Sequence, residues 1–136
     1  MKLVFDTSAL SQLLSDDDVI VKVFAQQKFG RAIIPIATDT ELRFGFAHGS
    51  KSVDNLANYE LFKKEFDIEV VFPDQETAVI YADLATWARQ HGVALSHNDF
   101  WIASTCIQIG GSLFAVDQDF KSLPQLRIIE FQAIQS

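Results

Sequence analysis

Four acidic residues stand where apolar runs give way to helix-like stretches. They are Asp6, Glu41, Asp99 and Asp117. They lie in the phrases Phe-Asp-Thr-Ser-Ala-Leu (5–10), Thr-Asp-Thr-Glu-Leu-Arg-Phe-Gly (38–45), His-Asn-Asp-Phe-Trp-Ile-Ala-Ser (97–104) and Ala-Val-Asp-Gln-Asp-Phe (115–120). Turns that follow parallel strands meet at one edge of the sheet, so acids at several such turns are expected to share a crevice. Carboxylate oxygens favour Mg²⁺ or Mn²⁺. The spacing therefore predicts a metal site built from oxygen ligands.

Each acid also has a purely structural interpretation. Asp6 stands at a favourable helix N-cap position, although the two hydroxyl residues after it would serve equally well. The segment 38–41 has the spacing of a capping box, in which Glu41 would return to the amide at position 38, and the segment 96–99 has the same form. Asp117 follows a strand at a turn, where Asp is common. No single acid decides between the two interpretations, and it is their joint placement that indicates a site.

Other reactive side chains are sparse. The three His residues and the single Cys show no zinc-ligand spacing. Cys106 lies at helical spacing with Ile102 and Ile109, which predicts a buried core thiol. One Cys excludes an internal disulfide and fits a reducing cytoplasm.

The net charge of −7 limits the kinds of nucleic-acid binding that fit this chain. It has eleven Lys and Arg against eighteen Asp and Glu, which argues against tight non-specific duplex binding. Divalent cations in an acidic pocket would reverse the local field, so the charge does not argue against a metal-dependent nuclease. No apolar run has the length of a membrane span and the N-terminus lacks a signal-peptide pattern, so we expect a cytoplasmic protein without membrane contact.

The elements that must position the acids alternate along the chain. The 136 residues predict one α/β domain over 1–136, a three-layer α/β/α arrangement with a central, mostly parallel sheet. Strands are expected at 2–5, 32–36, 69–72, 113–116 and 127–131. Helices are expected at 7–14, 19–28, 38–48, 53–66, 75–91 and 98–109. Asp6 and Asp117 then fall at the carboxyl ends of strands, where such sheets place their functional crevice.

Taken together, these phrases resemble the PIN-domain ribonucleases, and within them the VapC-type toxins of bacterial toxin–antitoxin pairs. The resemblance runs from Asp-Thr-Ser-Ala-Leu (6–10) to Leu-Pro-Gln-Leu-Arg-Ile-Ile-Glu-Phe (123–131). It is most specific over 92–102, where a Gly, an Asn-Asp pair and Trp-Ile-Ala follow the long predicted helix. Glu-Leu-Arg-Phe-Gly (41–45) is similar to the second acidic motif of that family.

The resemblance implies a catalytic site made by Asp6, Glu41, Asp99 and Asp117. Asp6 and Asp99 would hold Mg²⁺ or Mn²⁺ most directly, and Glu41 and Asp117 would position water and assist proton transfer. The reaction implied is hydrolysis of single-stranded or looped RNA, leaving a 5′-phosphate and a 3′-hydroxyl.

Further residues match the family with one exception. Asp119 matches a frequent accessory acid, and Asn98 and Ser8 match polar neighbours that orient the cluster. Ala115 stands where the family usually has Thr, which removes a hydroxyl near the site. That departure is the only sequence support for the alternative, a catalytically silent PIN-like domain that acts by binding another protein.

The resemblance also implies partners. VapC-type toxins are held inactive by a small antitoxin, so we expect an antitoxin, an RNA substrate and a homodimer. A Phe-rich stretch could supply apolar surface for such contacts, although burial in the core is the favoured interpretation for most of its rings. Its members are Phe44, Phe46, Tyr59, Phe62 and Phe66.

Overall fold

Four short strands form a parallel sheet whose centre carries the first strand of the chain. The computed structural model describes residues 1–129. Its strands are β1 (Lys2–Phe5), β2 (Arg31–Pro35), β3 (Glu69–Val71) and β4 (Ser112–Phe114). They lie in the order β3-β2-β1-β4, and every pair is parallel. Leu3 of β1 pairs with Ala32 of β2 on one side and with Ser112 of β4 on the other. The carboxyl end of β1 therefore opens at the middle of the sheet edge.

Within residues 1–129, six α-helices connect and cover the strands. They are α1 (Thr7–Leu14), α2 (Asp18–Ala25), α3 (Ile36–Ala47), α4 (Ser52–Glu65), α5 (Gln75–Gln90) and α6 (His97–Ile109). A 3₁₀ helix follows at Gln118–Ser122. Polar side chains fix several helix starts: Asp17 accepts from the Ile20 amide, and Asp74 and Thr77 form a reciprocal capping box. Gly110 ends α6 with a φ of 67°, a left-handed conformation that suits glycine.

The sheet separates two apolar cores. Leu3 and Phe5 of β1 point to the side covered by α1, α2 and α4, while Val4 between them points to the side covered by α5 and α6. This alternation follows from the two-residue period of a strand, and all three side chains are fully buried. Each contributes about 1.5–3 kcal/mol to folding through burial. The predicted three-layer α/β/α arrangement is thus confirmed, and it holds β1 rigidly beneath the candidate site.

Most predicted bounds differ from the structure by one to three residues, and two of the differences bear on the site and the sheet. Helix α3 begins at Ile36 rather than at 38. Pro35 occupies its N-cap position and has no N–H group that needs a partner. The Thr38 hydroxyl donates to the Phe5 carbonyl at 2.8 Å instead of capping the helix. The predicted strand at 127–131 is, within the described residues, a single parallel bridge between Leu113 and Ile128. Residues 130–131 lie outside the described part of the chain.

None of the helices in residues 1–129 combines the length and the apolar character needed to cross a membrane.

Candidate active site

Asp6 lies at the junction of a strand and a helix. Its backbone N–H donates to the Phe114 carbonyl of β4 at 3.0 Å, and its carbonyl accepts the Leu10 amide of α1 at 3.1 Å. The residue is only 3% exposed. It occupies the N-cap position of α1, yet its side chain makes no capping hydrogen bond within this fully described helix. Capping therefore does not account for a buried carboxyl group here.

The electrostatic environment of Asp6 favours its protonated form. The pKa of Asp6 is raised to about 7, mainly because burial desolvates the carboxylate, and the negative charges of Asp99 and Glu41 contribute to the rise. The nearby amides of Thr7 and Ser8 oppose this effect and lower the pKa in part. Asp99 and Glu41 are thus close enough to Asp6 to repel its charge, although they belong to different helices.

Glu41 reaches the site from α3 and does not cap that helix. The hydroxyl of Thr7, the residue after Asp6, donates to Glu41 Oε1 at 2.8 Å. The capping-box interpretation of 38–41 is therefore wrong: the helix has already begun at Ile36, and Thr38 is used to tie α3 to the end of β1. These two hydroxyl contacts hold the first turns of α3 against the start of α1.

Asp99 lies in the first turn of α6 and is half-buried. Its amide donates to the Ser96 hydroxyl at 3.1 Å, so Ser96 is the N-cap that the sequence predicts. The negative charge of the Asp99 carboxylate raises the pKa of Asp6, and it does so more than the charge of Glu41. The backbone amide of Asp99 thus donates to the capping residue, while its side chain contributes to the acidic cluster.

Asp117 and Asp119 lie in the loop and 3₁₀ turn after β4. Asp117 Oδ1 accepts the Asp119 amide at 2.9 Å, which caps the 3₁₀ helix, and both residues are exposed. Asp117 shares the sheet edge with Asp6, because β4 pairs directly with β1. The acids that raise the pKa of Asp6 are Asp99 and Glu41. The structure thus brings Asp99 and Glu41 within electrostatic range of Asp6, and it places Asp117 at the same edge of the sheet.

Two of these carboxylates together could bind a hard divalent cation. Among residues 1–129, no group of three or more His, Cys, Asp or Glu side chains is arranged to hold a metal ion. Mg²⁺ is commonly held by one or two carboxylates, with water and substrate phosphates completing its shell. The buried Asp6 with Asp99 beside it provides such a pair. A cation here would lower the pKa of Asp6, because its charge would offset both the burial and the acidic neighbours that raise that pKa.

A fifth acid, which sequence reasoning passed over, is Asp39. It is buried, and its two oxygens accept hydrogen bonds from the Tyr59 hydroxyl at 2.7 Å and from Arg43 Nε at 2.9 Å. Arg43 also reaches Glu60 of α4 at 2.9 Å. Asp39 therefore fastens α4 to α3 and is a structural acid. The i, i+4 spacing of Asp39 and Arg43 is the one sequence signal that could have revealed it.

The Phe-rich stretch divides between the core and the surface. Tyr59 is fully buried, and Phe46 and Phe62 pack partly buried against the same core. Phe44 and Phe66 are exposed, at 66% and 40%. Burial is thus confirmed for three of the five rings, and Phe44 remains free to meet a partner.

Ala115, the departure from the family pattern, is buried in the core between β4 and α6. Its methyl group belongs to an apolar cluster with residues such as Leu113 and Phe120.

A family model for the PIN domain matches residues 3–126. The chain belongs to the PIN domain family. A comparison with curated proteins finds none that matches this chain.

Solved structures share the fold of this PIN domain along nearly its whole length. The DNA-bound VapBC of Salmonella typhimurium superposes with a TM-score of 0.83 at 22% identity, covering 96% of this chain and 98% of that one. VapBC2 from Rickettsia felis, bound to a DNA fragment from its promoter, gives 0.81 at 21%, covering 94% and 97%. VapC20 of Mycobacterium tuberculosis, a toxin that cleaves the sarcin–ricin loop, gives 0.67 at 16%, covering 92% and 98%. At these identities the likeness is one of fold.

Proposed function

We propose that this PIN domain is a Mg²⁺- or Mn²⁺-dependent endoribonuclease and the toxin of a VapBC-type toxin–antitoxin pair. The observation that carries the proposal is Asp6, a buried carboxyl group at the end of the central strand with Asp99 and Glu41 close enough to repel its charge. A fold rarely retains such a group without a ligand that compensates for it, since pKa values perturbed by burial and like charges cluster at functional sites.

The chain's own residues would divide the work. Asp6 and Asp99 would hold the cation, which supplies water activation and neutralises charge building on the phosphodiester. Glu41 is kept in one orientation by the Thr7 hydroxyl and would orient water and accept its proton. Asp117, fixed by the Asp119 amide at the same edge of the sheet, would face the RNA side of the cleft.

The proposed antitoxin contact is supported by exposed apolar side chains on the α3–α4 hairpin. Phe44 is 66% exposed, Val53 79% and Leu61 62%. Apolar side chains exposed in one region are typical of protein-binding surfaces. Several solved structures that share the fold are VapBC complexes, which favours a small antitoxin as the occupant, and a homodimer would use the same kind of surface.

The activity can be tested with purified protein and labelled single-stranded and stem-loop RNAs. We expect cleavage in Mg²⁺ or Mn²⁺, none in EDTA, and a fall of about 100-fold or more for Asp6→Asn and Asp99→Asn, because metal-assisted charge stabilisation carries most of the catalysis. Asp67→Asn is the matched control, since Asp67 precedes β3 at the opposite end of the sheet and its φ of 51° is one that Asn tolerates.

Cleavage that persists in EDTA, or that is equal in the wild type and both site variants, would contradict the proposal. A folded wild type that binds an antitoxin but cleaves none of the RNAs would favour the silent protein-binding domain.

A further inference from the structure

A cavity lies at the starts of α3 and α6, the two helices that carry Glu41 and Asp99. It has a volume of about 220 Å³ between the start of α3, the start of α6 and the loop before α5. We call it the Trp101 pocket and define it by Pro35, Ile36, Thr40, Pro73, Asn98 and Trp101. Most of its wall is apolar, with one amide and one indole ring exposed to the space.

The pocket adjoins two of the site acids through the chain itself. Thr40 immediately precedes Glu41 in α3, and Asn98 immediately precedes Asp99 in α6. Successive residues of a helix point about 100° apart, so the pocket and the acids lie on adjoining faces at the starts of the same two helices. A substrate bound at the acids would have this pocket along the neighbouring face.

The indole of Trp101 is held in position by its neighbours. Tyr81 packs against it with ring centroids 4.7 Å apart and also contacts the His97 ring. Tyr81 is not part of the pocket wall, so it supports Trp101 from outside. Thr105 donates its hydroxyl to the Trp101 carbonyl at 2.8 Å. An aromatic ring fixed in this way offers a surface for stacking at little cost in side-chain entropy.

The chemistry of the wall selects a flat, uncharged ring with a polar edge. None of the residues that line the pocket, all within the described part of the chain, carries a charge, so a phosphate would find no cation there. Asn98 offers both a hydrogen-bond donor and an acceptor. The volume is below the roughly 300–1,000 Å³ of ordinary ligand pockets, which fits one base better than a larger molecule.

We propose that the Trp101 pocket binds one unpaired RNA base beside the scissile phosphate, with Trp101 stacking on the base and Asn98 hydrogen-bonding to its edge. This inference rests on the proposed ribonuclease function and names how its substrate is held. The chain has only eleven Lys and Arg against eighteen acids, so phosphate contacts supply little affinity. Stacking on an aromatic ring does not depend on phosphate charge, and it contributes to the binding of many single strands.

Binding can be measured separately from cleavage. Trp87, on α5 with its ring stacked on His91, is the second Trp of the chain. Trp87→Phe leaves Trp101 as the sole indole fluorophore. This variant is titrated with single-stranded RNA hexamers in a buffer that contains Ca²⁺, and binding should quench the Trp101 emission to saturation. Duplex RNA of equal length should not quench it, because the bases of a duplex are already stacked.

Three variants test the pocket by affinity, measured from the anisotropy of a labelled hexamer. Trp101→Ala should weaken binding about 5- to 140-fold, the range expected for one stacked base, and Trp101→Phe should restore most of it. Thr40→Phe, which fills the pocket and leaves Trp101 in place, should weaken binding similarly. If the Trp101→Ala protein fails to fold, Thr40→Phe still tests the pocket.

The outcomes separate the two proposals. Saturable quenching with no cleavage of any RNA supports the base pocket and removes the ribonuclease function. Cleavage with no quenching, or with unchanged affinity in Trp101→Ala and Thr40→Phe, overturns the base pocket and leaves the ribonuclease intact. Trp101 emission that changes with protein concentration in the absence of RNA shows that a second copy covers the pocket, which also overturns the proposal.

Discussion

Two buried carboxyl groups of this PIN domain, Asp6 and Asp39, meet opposite environments. Asp39 is 6% exposed and accepts hydrogen bonds from Tyr59 and from the guanidinium of Arg43. Asp6 is 3% exposed and has Asp99 and Glu41 as charged neighbours. Both positions look alike in sequence, since each is an Asp at or near a helix start.

The difference separates an acid that stabilises the fold from one that the fold merely tolerates. A buried charge is costly unless it is paired and hydrogen-bonded, and Asp39 meets both conditions within the chain. Asp6 gains partial relief from two backbone amides, but its acidic neighbours oppose its ionisation. The fold places Asp6 there at a cost in stability, which is the behaviour expected of a residue kept for a ligand.

The largest effect is expected where a satisfied charge is broken. Asp39→Ala should lower the free energy of unfolding by about 2–4 kcal/mol, because it leaves the Tyr59 hydroxyl buried without its acceptor and removes one of the two acidic partners of Arg43, which is 45% exposed and keeps Glu60. Tyr59→Phe, which removes only the donor of one hydrogen bond, should cost about 1–2 kcal/mol. Urea denaturation at neutral pH measures both. A loss under 1 kcal/mol for Asp39→Ala would show that Asp39 does not join α3 to α4.

The pH dependence of stability should reveal Asp6. Its ordinary pKa is 3.8 and its folded pKa is about 7, so the folded chain keeps a proton that the unfolded chain has released. Stability from this group is fully present below about pH 4 and is lost as pH rises to about 7. At about 1.4 kcal/mol per pH unit, the loss is at most about 4 kcal/mol.

Asp6→Asn provides the control for this pH effect, because an amide does not titrate. In EDTA, the unfolding free energy of the wild type minus that of Asp6→Asn should decline between pH 4 and pH 7 and then level off. Taking the difference cancels the carboxyl groups that do not interact with Asp6, among them Asp74, whose pKa is lowered by its capping contacts. A difference that stays constant over this range would mean that Asp6 ionises normally in the folded protein.

The fold could be predicted largely from local signals, since hydrophobic strands alternate with helices that end at recognisable polar or glycine residues. The sheet positions of Asp6 and Asp117 followed from that alternation. The fifth strand was less predictable, because within the described residues only Ile128 pairs with β4. Such a bridge depends on where the chain returns after the 3₁₀ helix, which no periodic pattern records.

The site was harder to predict than the fold because its acids are distinguished by tertiary contacts. Thr38 to Glu41 has the spacing of a capping box, but the Thr38 hydroxyl bonds to β1 and Glu41 bonds to Thr7. Asp39 lies between them in sequence and was passed over, because its partner Tyr59 comes from the next helix. Local spacing identifies candidate acids, and only packing shows which of them are paired.

Thermal melts in EDTA and in Mn²⁺ test most directly whether the acids around Asp6 form a metal site. Millimolar Mn²⁺ should raise the melting temperature of the wild type, by the equivalent of about 2.7 kcal/mol at a hundredfold excess over Kd. Asp99→Asn should melt in EDTA at or above the wild-type temperature, because it removes a charge that repels Asp6, and it should lose most of the gain from Mn²⁺.

Ser96→Ala is the matched control: it removes the cap at the same helix start and should cost about 1 kcal/mol equally in both conditions. If Asp99→Asn instead behaves like Ser96→Ala, with the same loss in EDTA and in Mn²⁺ and the metal gain retained, Asp99 is a helix-start residue and the metal site is contradicted.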